Sequence, residues 1–339
     1  MNRIYINLHI YITNNKQMKK ILITGGCGFI GSNLTEFFLK KKYKVIVLDK
    51  YNFQNNWGWL EKIQHKNLEI KLGDIRDYDF INKSMKGVNS VIHLAALIGI
   101  PYSYYSPLAY IQTNIIGTYN ILESCYSNKI KNIVITSTSE VYGSSKYEPM
   151  DEEHPTFSQS PYAATKKSAD ELALSYFNSF KLPIKIIRPF NAYGPRQSPR
   201  AIIPSIIYQL INKKIKTVKI GNLKPKRDYT HVYDLCDAYH KILKSNKFGE
   251  IFNVGSGENI SILDLYNKIS KILNIKKTLK VQNERKRIKG SEVESLRCDS
   301  MKINDYLNWK PKVKFSIGLK NTYQWIKKNQ TIYKDIYNI

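Results

Sequence analysis

One segment constrains this chain more than any other: Thr24-Gly25-Gly26-Cys27-Gly28-Phe29-Ile30-Gly31, set between the apolar run 21–24 and the helical periodicity of 33–42. A glycine turn at the end of a buried strand and the start of a helix is the first corner of a β-α-β unit. The alternation continues. Further apolar runs at 45–48, 90–94, 133–136, 184–187 and 251–254 are separated by helical stretches such as 111–127. Continuous apolar strands belong to a parallel sheet covered on both faces, and such sheets take ligands at the carboxyl ends of their strands. The expected fold is α/β, a Rossmann doubly wound parallel sheet with a smaller α/β C-terminal lobe for substrate. The sheet domain spans 18–190 and is completed by about 231–256, and the lobe takes 191–230 and 257–330. Residues 1–17 read as a disordered extension ahead of Met18, a natural start.

Composition narrows the class. With 339 residues and 42% hydrophobic content the chain is large enough for two cores. The longest apolar stretch, 91–100, contains His93 and is far short of a membrane span, so no membrane partner is expected. Lys and Arg total 53 against 27 Asp and Glu, a net charge of +26. The lysines are scattered and no nucleic-acid-binding signature accompanies them, so the basicity reads as compositional bias that helps recruit anionic small molecules. Cys27, Cys125, Cys236 and Cys298 are widely spaced, which supports neither zinc nor disulfides and fits a reducing cytoplasmic setting.

Gly25, Gly28 and Gly31 let the backbone approach a pyrophosphate, which then sits at the helix start beside Phe29 and Ile30. Asp49 ends the second strand, where a carboxylate accepts from a ribose hydroxyl and repels a 2′-phosphate; the expected cofactor is NAD. In Gly73-Asp74-Ile75-Arg76, Asp74 is expected near an adenine amino group, with Ile75 beside it. Tyr162 and Lys166 share one helix face, and the ammonium, together with a nicotinamide cation, is expected to lower the phenol toward neutrality so that Tyr162 acts as a base on a sugar hydroxyl. Arg227 and Arg287 suit a diphosphate, with Arg285 a weaker candidate, and Asn191 faces sugar or phosphate. His93 reads as strand-end structure; no metal ligand set is expected.

Taken together, the glycine loop, His93-Leu94-Ala95-Ala96, Asn114-Ile115-Ile116-Gly117-Thr118, Thr138-Ser139-Glu140-Val141-Tyr142-Gly143, Tyr162-x-x-x-Lys166, Arg188-Pro189-Phe190-Asn191 and Arg227-Asp228-Tyr229 resemble the extended short-chain dehydrogenase/reductase superfamily. The likeness covers nearly everything after Met18. More narrowly, Asn55-Asn56-Trp57-Gly58-Trp59-Leu60, Ile100-Pro101-Tyr102-Ser103-Tyr104, Ser291-Glu292-Val293-Glu294 and Asp335-Ile336-Tyr337-Asn338 resemble the nucleotide-sugar 4,6-dehydratases of legionaminic acid synthesis, which act on an N-acetylglucosamine nucleotide.

The resemblance implies that Ala95, Ala96 and Asn114 join the cofactor site and that the substrate is a nucleotide diphosphate sugar. Thr138 and Tyr162 would hold and deprotonate its 4-hydroxyl while C4 is oxidised. Glu140 would remove the C5 proton, the 6-hydroxyl would leave as water, and a 4-keto-6-deoxy sugar would result. A plain 4-epimerase needs no base at C5, so Glu140 argues against that alternative. Relatives acting on dTDP-glucose place an Asp before the Glu, whereas this chain has Ser139; Thr-Ser-Glu is similar to GDP-mannose dehydratases and to UDP-glucuronate decarboxylases, the main rivals. A homodimer built on helices of the larger domain is also implied.

Overall fold

The computed structural model describes residues 18–333; the expected extension at 1–17 and the tail at 335–338 lie outside the described residues. The first half runs β1 (Lys20–Thr24), α1 (Phe29–Lys40), β2 (Lys44–Lys50), β3 (Leu68–Gly73), α2 (Tyr78–Ser84), β4 (Ser90–His93), α3 (Ile100–Tyr105), α4 (Pro107–Tyr110), α5 (Gly117–Ser127), β5 (Asn132–Thr136), α6 (Pro161–Phe180) and β6 (Ile184–Pro189). The second continues through β7 (Asn191–Tyr193), α7 (Ile202–Ile211), β8 (Thr217–Ile220), β9 (Lys226–His231), α8 (Val232–Lys244), β10 (Ile251–Val254), β11 (Asn259–Ser261), α9 (Ile262–Leu273), β12 (Thr278–Val281), β13 (Ser295–Leu296), α10 (Met301–Leu307) and α11 (Phe315–Lys328). The helix expected over 111–127 starts with a π-turn, Ile111–Ile116, before α5.

Seven strands form one parallel sheet in the order β10-β6-β5-β4-β1-β2-β3. Chain order reverses between β1 and β4, so the loops after these strands diverge and leave a crevice at their carboxyl ends. This is the doubly wound sheet expected from the sequence. Both faces are covered because successive side chains point to opposite sides. On one face Ile21, Ile23, Val45, Val47, Ile92 and Val134 pack against Leu34 and Phe38 of α1 and Leu235, Tyr239 and Ile242 of α8. On the other, Leu22, Ile46, Val91, Ile133 and Ile135 meet Ile81 of α2, Ile121 and Leu122 of α5, and Ala173 and Tyr176 of α6. No helix among the described residues is long and apolar enough to cross a membrane.

Beyond β6 a separate apolar cluster gathers Ile203, Ile206 and Ile207 of α7, Tyr229 of β9, Leu265 and Ile269 of α9, and Leu319 and Ile326 of α11. Strands β7, β9, β11 and β13 form a second, small sheet, and β8 pairs with β12. Helix α8 returns from this region to the large sheet, where the Tyr239 hydroxyl lies 2.9 Å from Thr136 Oγ1.

A buried lysine secures that return. Lys185 of β6 donates to Leu243 O at 3.2 Å and Ser245 O at 2.9 Å, covering carbonyls at the end of α8, and to Asn132 Oδ1 at 3.0 Å. Burial lowers its ammonium from 10.5 to about 8. Between these values the unfolded chain binds the extra proton, so raising the pH through this window favours the fold. Relative to Lys185→Met, the wild-type melting temperature is therefore expected to rise from pH 8 to pH 10; a constant difference across that range contradicts the assignment.

Candidate active site

The glycine loop is closed by contacts that exclude side chains. Gly25 adopts φ +69° against Ala95, where an added Cβ would sit 2.9 Å from the Ala95 nitrogen; at Gly31 a Cβ would meet Gly25 O at 2.1 Å. Gly28 caps α1 without a side chain, leaving the first amides of a twelve-residue helix uncovered by any side-chain acceptor. Phe29 and Ile30 open that helix, half-buried. Asp49, at the end of β2, accepts from Cys27 N at 2.7 Å and Lys50 N at 2.7 Å, so its carboxylate is fixed beside the loop. A bare helix start, a loop with no room for a Cβ and an acid at the next strand end fit a dinucleotide.

Two other residues expected at the cofactor have their polar groups engaged elsewhere. Both Asp74 oxygens are held by Arg76, at 3.0 Å from Nε and 2.6 Å from Nη2, which lowers the carboxyl below its ordinary range. Asn114 accepts from Leu97 N at 2.8 Å and donates to Leu97 O and Thr165 Oγ1, so it shapes the loop after β4 from beneath. Ile75 is core, packed against Gly117. Ala95 lies against Gly25, and Ala96 follows it, half-buried.

The strand-end segment after β5 brings Thr138, Ser139 and Glu140 into one short 3-10 turn, Ser139–Val141, which Thr138 caps by accepting from Glu140 N at 3.2 Å. Helix α6 supplies Tyr162 and Lys166. It starts at a fixed point because Ser160 accepts from Ala163 N and Pro161 takes the first helical position. Tyr162 hydrogen-bonds Thr138. Lys166 is buried and donates to Thr136 O at 2.6 Å.

The expected lowering of the Tyr162 phenol is not what the chain provides by itself. Burial pushes it above its ordinary value, the Thr138 hydrogen bond opposes this weakly, and the nearby Glu140 charge adds to it. Lys166 donates to a carbonyl, and burial brings its ammonium down to about 8 while Asp170 works in the other direction. The lowering expected from a nicotinamide cation lies outside these contributions.

Arg227 and Arg287 both reach the site, each on a carboxylate. Arg287 grips Glu140 with both nitrogens, at 3.1 and 3.0 Å. Arg227 donates to Glu292 Oε1 at 3.3 Å and to Lys226 O at 2.9 Å. Burial pushes the Glu140 carboxyl up, but the charge and hydrogen bonds of Arg287, with help from Arg227, outweigh it and hold the group below the ordinary carboxylate range. Asn191 has a buried amide nitrogen with no protein partner. Arg285 donates to Gln282 Oε1 and turns to its own loop.

The sequence reading overlooked Asp170, which lies one turn beyond Lys166 on the same face of α6. Its Oδ2 accepts from Ser137 Oγ at 2.7 Å and from Arg188 at 3.1 Å, all deep in the protein. The spacing Tyr162, Lys166, Asp170 was a readable signal, because three residues four apart share one face. Asp170→Asn strands the Arg188 charge, and urea unfolding is expected to show a loss of about 3–5 kcal/mol, against about 1 kcal/mol for Ser137→Ala.

Known proteins resemble this chain over most of its length. The family model described as GDP-mannose 4,6 dehydratase matches residues 22–322. A dTDP-D-glucose 4,6-dehydratase of Dictyostelium discoideum is 37% identical over 76% of this chain and 64% of its own length. One of Homo sapiens is 30% identical over 94% of this chain and 93% of its own. A putative UDP-glucose 4-epimerase of Methanocaldococcus jannaschii is 32% identical, covering 91% of this chain and 99% of its own. Among solved structures, the dTDP-glucose 4,6-dehydratase DesIV of Streptomyces venezuelae, solved with NAD and TYD bound, superposes with a TM-score of 0.86 at 29% identity, covering 93% of this chain and 99% of that one. With the family model spanning both the large sheet and the lobe beyond it, the chain belongs to the GDP-mannose 4,6-dehydratase family.

Proposed function

We propose that this NAD-dependent nucleotide-sugar 4,6-dehydratase takes an N-acetylglucosamine nucleotide, with GDP or UDP as the carrier, and produces its 4-keto-6-deoxy derivative for a legionaminic acid type of sugar. The observation that carries the dehydratase chemistry is the position of Glu140, one carboxylate on the same turn as Thr138 and within the field of Tyr162. The sugar assignment is supported by the likeness of segments 55–60, 100–104 and 291–294 to the dehydratases of that pathway.

On this reading residues 18–190 with 231–256 hold NAD, and 191–230 with 257–330 hold the substrate. Gly25, Gly28, Phe29, Ile30 and Gly31 surround the pyrophosphate, with Asp49 at the adenosine ribose. NAD supplies a reversible acceptor for the hydrogen carried on C4. Thr138 orients the 4-hydroxyl and Tyr162 takes its proton, with Lys166 fixing the strand-end carbonyl next to them. Once C4 is a ketone the C5 proton is acidic, and Glu140 removes it. With Ser139 bringing no carboxyl, Glu140 is also the group that returns a proton to the departing 6-hydroxyl. Arg227 and Arg287 bind the diphosphate; Asn191, with its free amide nitrogen, faces the sugar. The protein works as a homodimer in the cytoplasm.

A second reading has one observation in its favour: Arg287 places a cation beside Glu140, where a carboxylate on C5 of a glucuronate would lie, which suits a decarboxylase. Mass spectrometry separates the two. Incubated without added reductant, GDP- or UDP-N-acetylglucosamine is expected to lose one water, and UDP-glucuronate to stay unchanged; loss of carbon dioxide from the glucuronate overturns the dehydratase reading. Glu140→Gln is expected to keep NAD yet lose turnover by about 10²–10⁴-fold, the range of general acid–base groups, and near-normal turnover would remove Glu140 from the mechanism.

A further inference from the structure

The chain from 287 to 292 is held against the site at four points, one of them at Glu140. Arg287 holds Glu140 in a two-toothed grip, Glu292 meets Arg227, the Tyr104 hydroxyl donates to Ser291 Oγ at 2.5 Å, and Gln159 Nε2 donates to Gly290 O at 3.3 Å. The Glu140 and Arg287 side chains are 11% and 21% exposed, and those of Arg227 and Glu292 7% and 19%. Two guanidinium groups and two carboxylates thus form a sheltered group of four with no net charge.

Such a group has a chemical consequence. A carboxylate with each oxygen on one guanidinium fork keeps a lone pair on each but is a weaker base, and releasing its charge by protonation leaves the arginine unpaired. Glu140 is a poorer base while it is gripped. A guanidinium fork fits phosphate as well as it fits carboxylate, and a diphosphate brings about two negative charges to a group that already balances. That anion would compete with the carboxylates for the arginines.

We infer that Arg287 is a positioning residue shared in turn by Glu140 and the substrate's diphosphate, so that arrival of the diphosphate draws the guanidinium away and frees Glu140 to take the C5 proton. This rests on the reading of Arg287 as a diphosphate contact. The base is then uncovered only when the sugar arrives on its nucleotide carrier, and the step that follows is a proton passing from C5 to the freed carboxylate, with the electron pair moving into the enolate of the 4-ketone.

Titration calorimetry of inorganic pyrophosphate into the full-length, NAD-loaded protein tests the exchange. If Glu140 competes with the anion for Arg287, Glu140→Gln tightens pyrophosphate about tenfold, and in an Arg287→Gln background the same change alters affinity by less than about twofold. Equal tightening in both backgrounds marks simple charge repulsion and overturns the inference, as does unchanged affinity on Glu140→Gln alone. Glu140→Asp, one methylene shorter, is expected to give a smaller tightening that also vanishes with Arg287→Gln, and it serves where Glu140→Gln fails to fold. Calorimetry reads no product: a protein that dehydrates no sugar nucleotide can still show the coupling, and an active dehydratase can lack it.

Discussion

The Thr24 hydroxyl joins the two halves of the crevice. Its oxygen accepts from Leu94 N and Ala95 N at 3.1 Å each and lies 2.7 Å from His93 Nδ1, while His93 Nε2 lies 3.1 Å from Thr118 Oγ1. The end of β1, the end of β4 and the start of α5 are thereby fixed to one another where strand order reverses. Gly25 follows directly, and its contact with Ala95 leaves no space for a side chain. Burial, with the Lys166 charge adding to it, lowers His93 to about 3, so the imidazole stays neutral and works as a rigid connector at any pH the protein meets. The glycine loop and the loop after β4 take their relative positions from this knot.

Charge inside the protein follows a stricter rule than charge on its surface. A chain of +26 scatters its excess lysines over the exterior, yet the ionised groups near the site come in matched sets: Arg188 with Asp170, Arg287 with Glu140, Arg227 with Glu292. An unmatched ion there would meet the full cost of desolvation. Lys166 has no carboxylate within hydrogen-bonding distance, and its pKa falls accordingly. Its ammonium is held by the carbonyl of Thr136 at the end of β5.

Much of this was legible in the sequence, for identifiable reasons. The run of glycines and the apolar stretches at 21–24, 45–48, 90–94 and 133–136 reveal the sheet because a strand buried on both faces has to be apolar throughout, and a loop with a backbone atom at every contact point has to be glycine. That Thr138, Glu140 and Tyr162 lie close together was readable from their placement after β5 and on α6. What spacing did not carry was the competition among partners. Asp74 looks available until Arg76, two residues on, folds back over it; Asn114 looks like a ligand contact until the Leu97 backbone takes both ends of its amide. Arg287 is separated from Glu140 by 147 residues, and no local pattern announces that they meet.

Serine at 139 gives the pairing of Glu140 its weight. With an acid at that position, one carboxylate can take the C5 proton while its neighbour gives a proton to the leaving 6-hydroxyl, and the charge state of either is partly cushioned by the other. Here Glu140 is the carboxylate beside Thr138 and Tyr162 among the described residues, so on the proposed mechanism a single group has to be ionised at the start of elimination and protonated halfway through it. A permanent guanidinium grip opposes the second state, because protonation would leave a sheltered cation without its counter-ion. Complete absence of the arginine opposes the first, because burial alone pushes the carboxyl up. A cation that stays close but passes between carboxylate and diphosphate satisfies both demands, and on the inferred exchange it links the charge state of the proposed base to the presence of the diphosphate that the GDP- and UDP-linked substrates share.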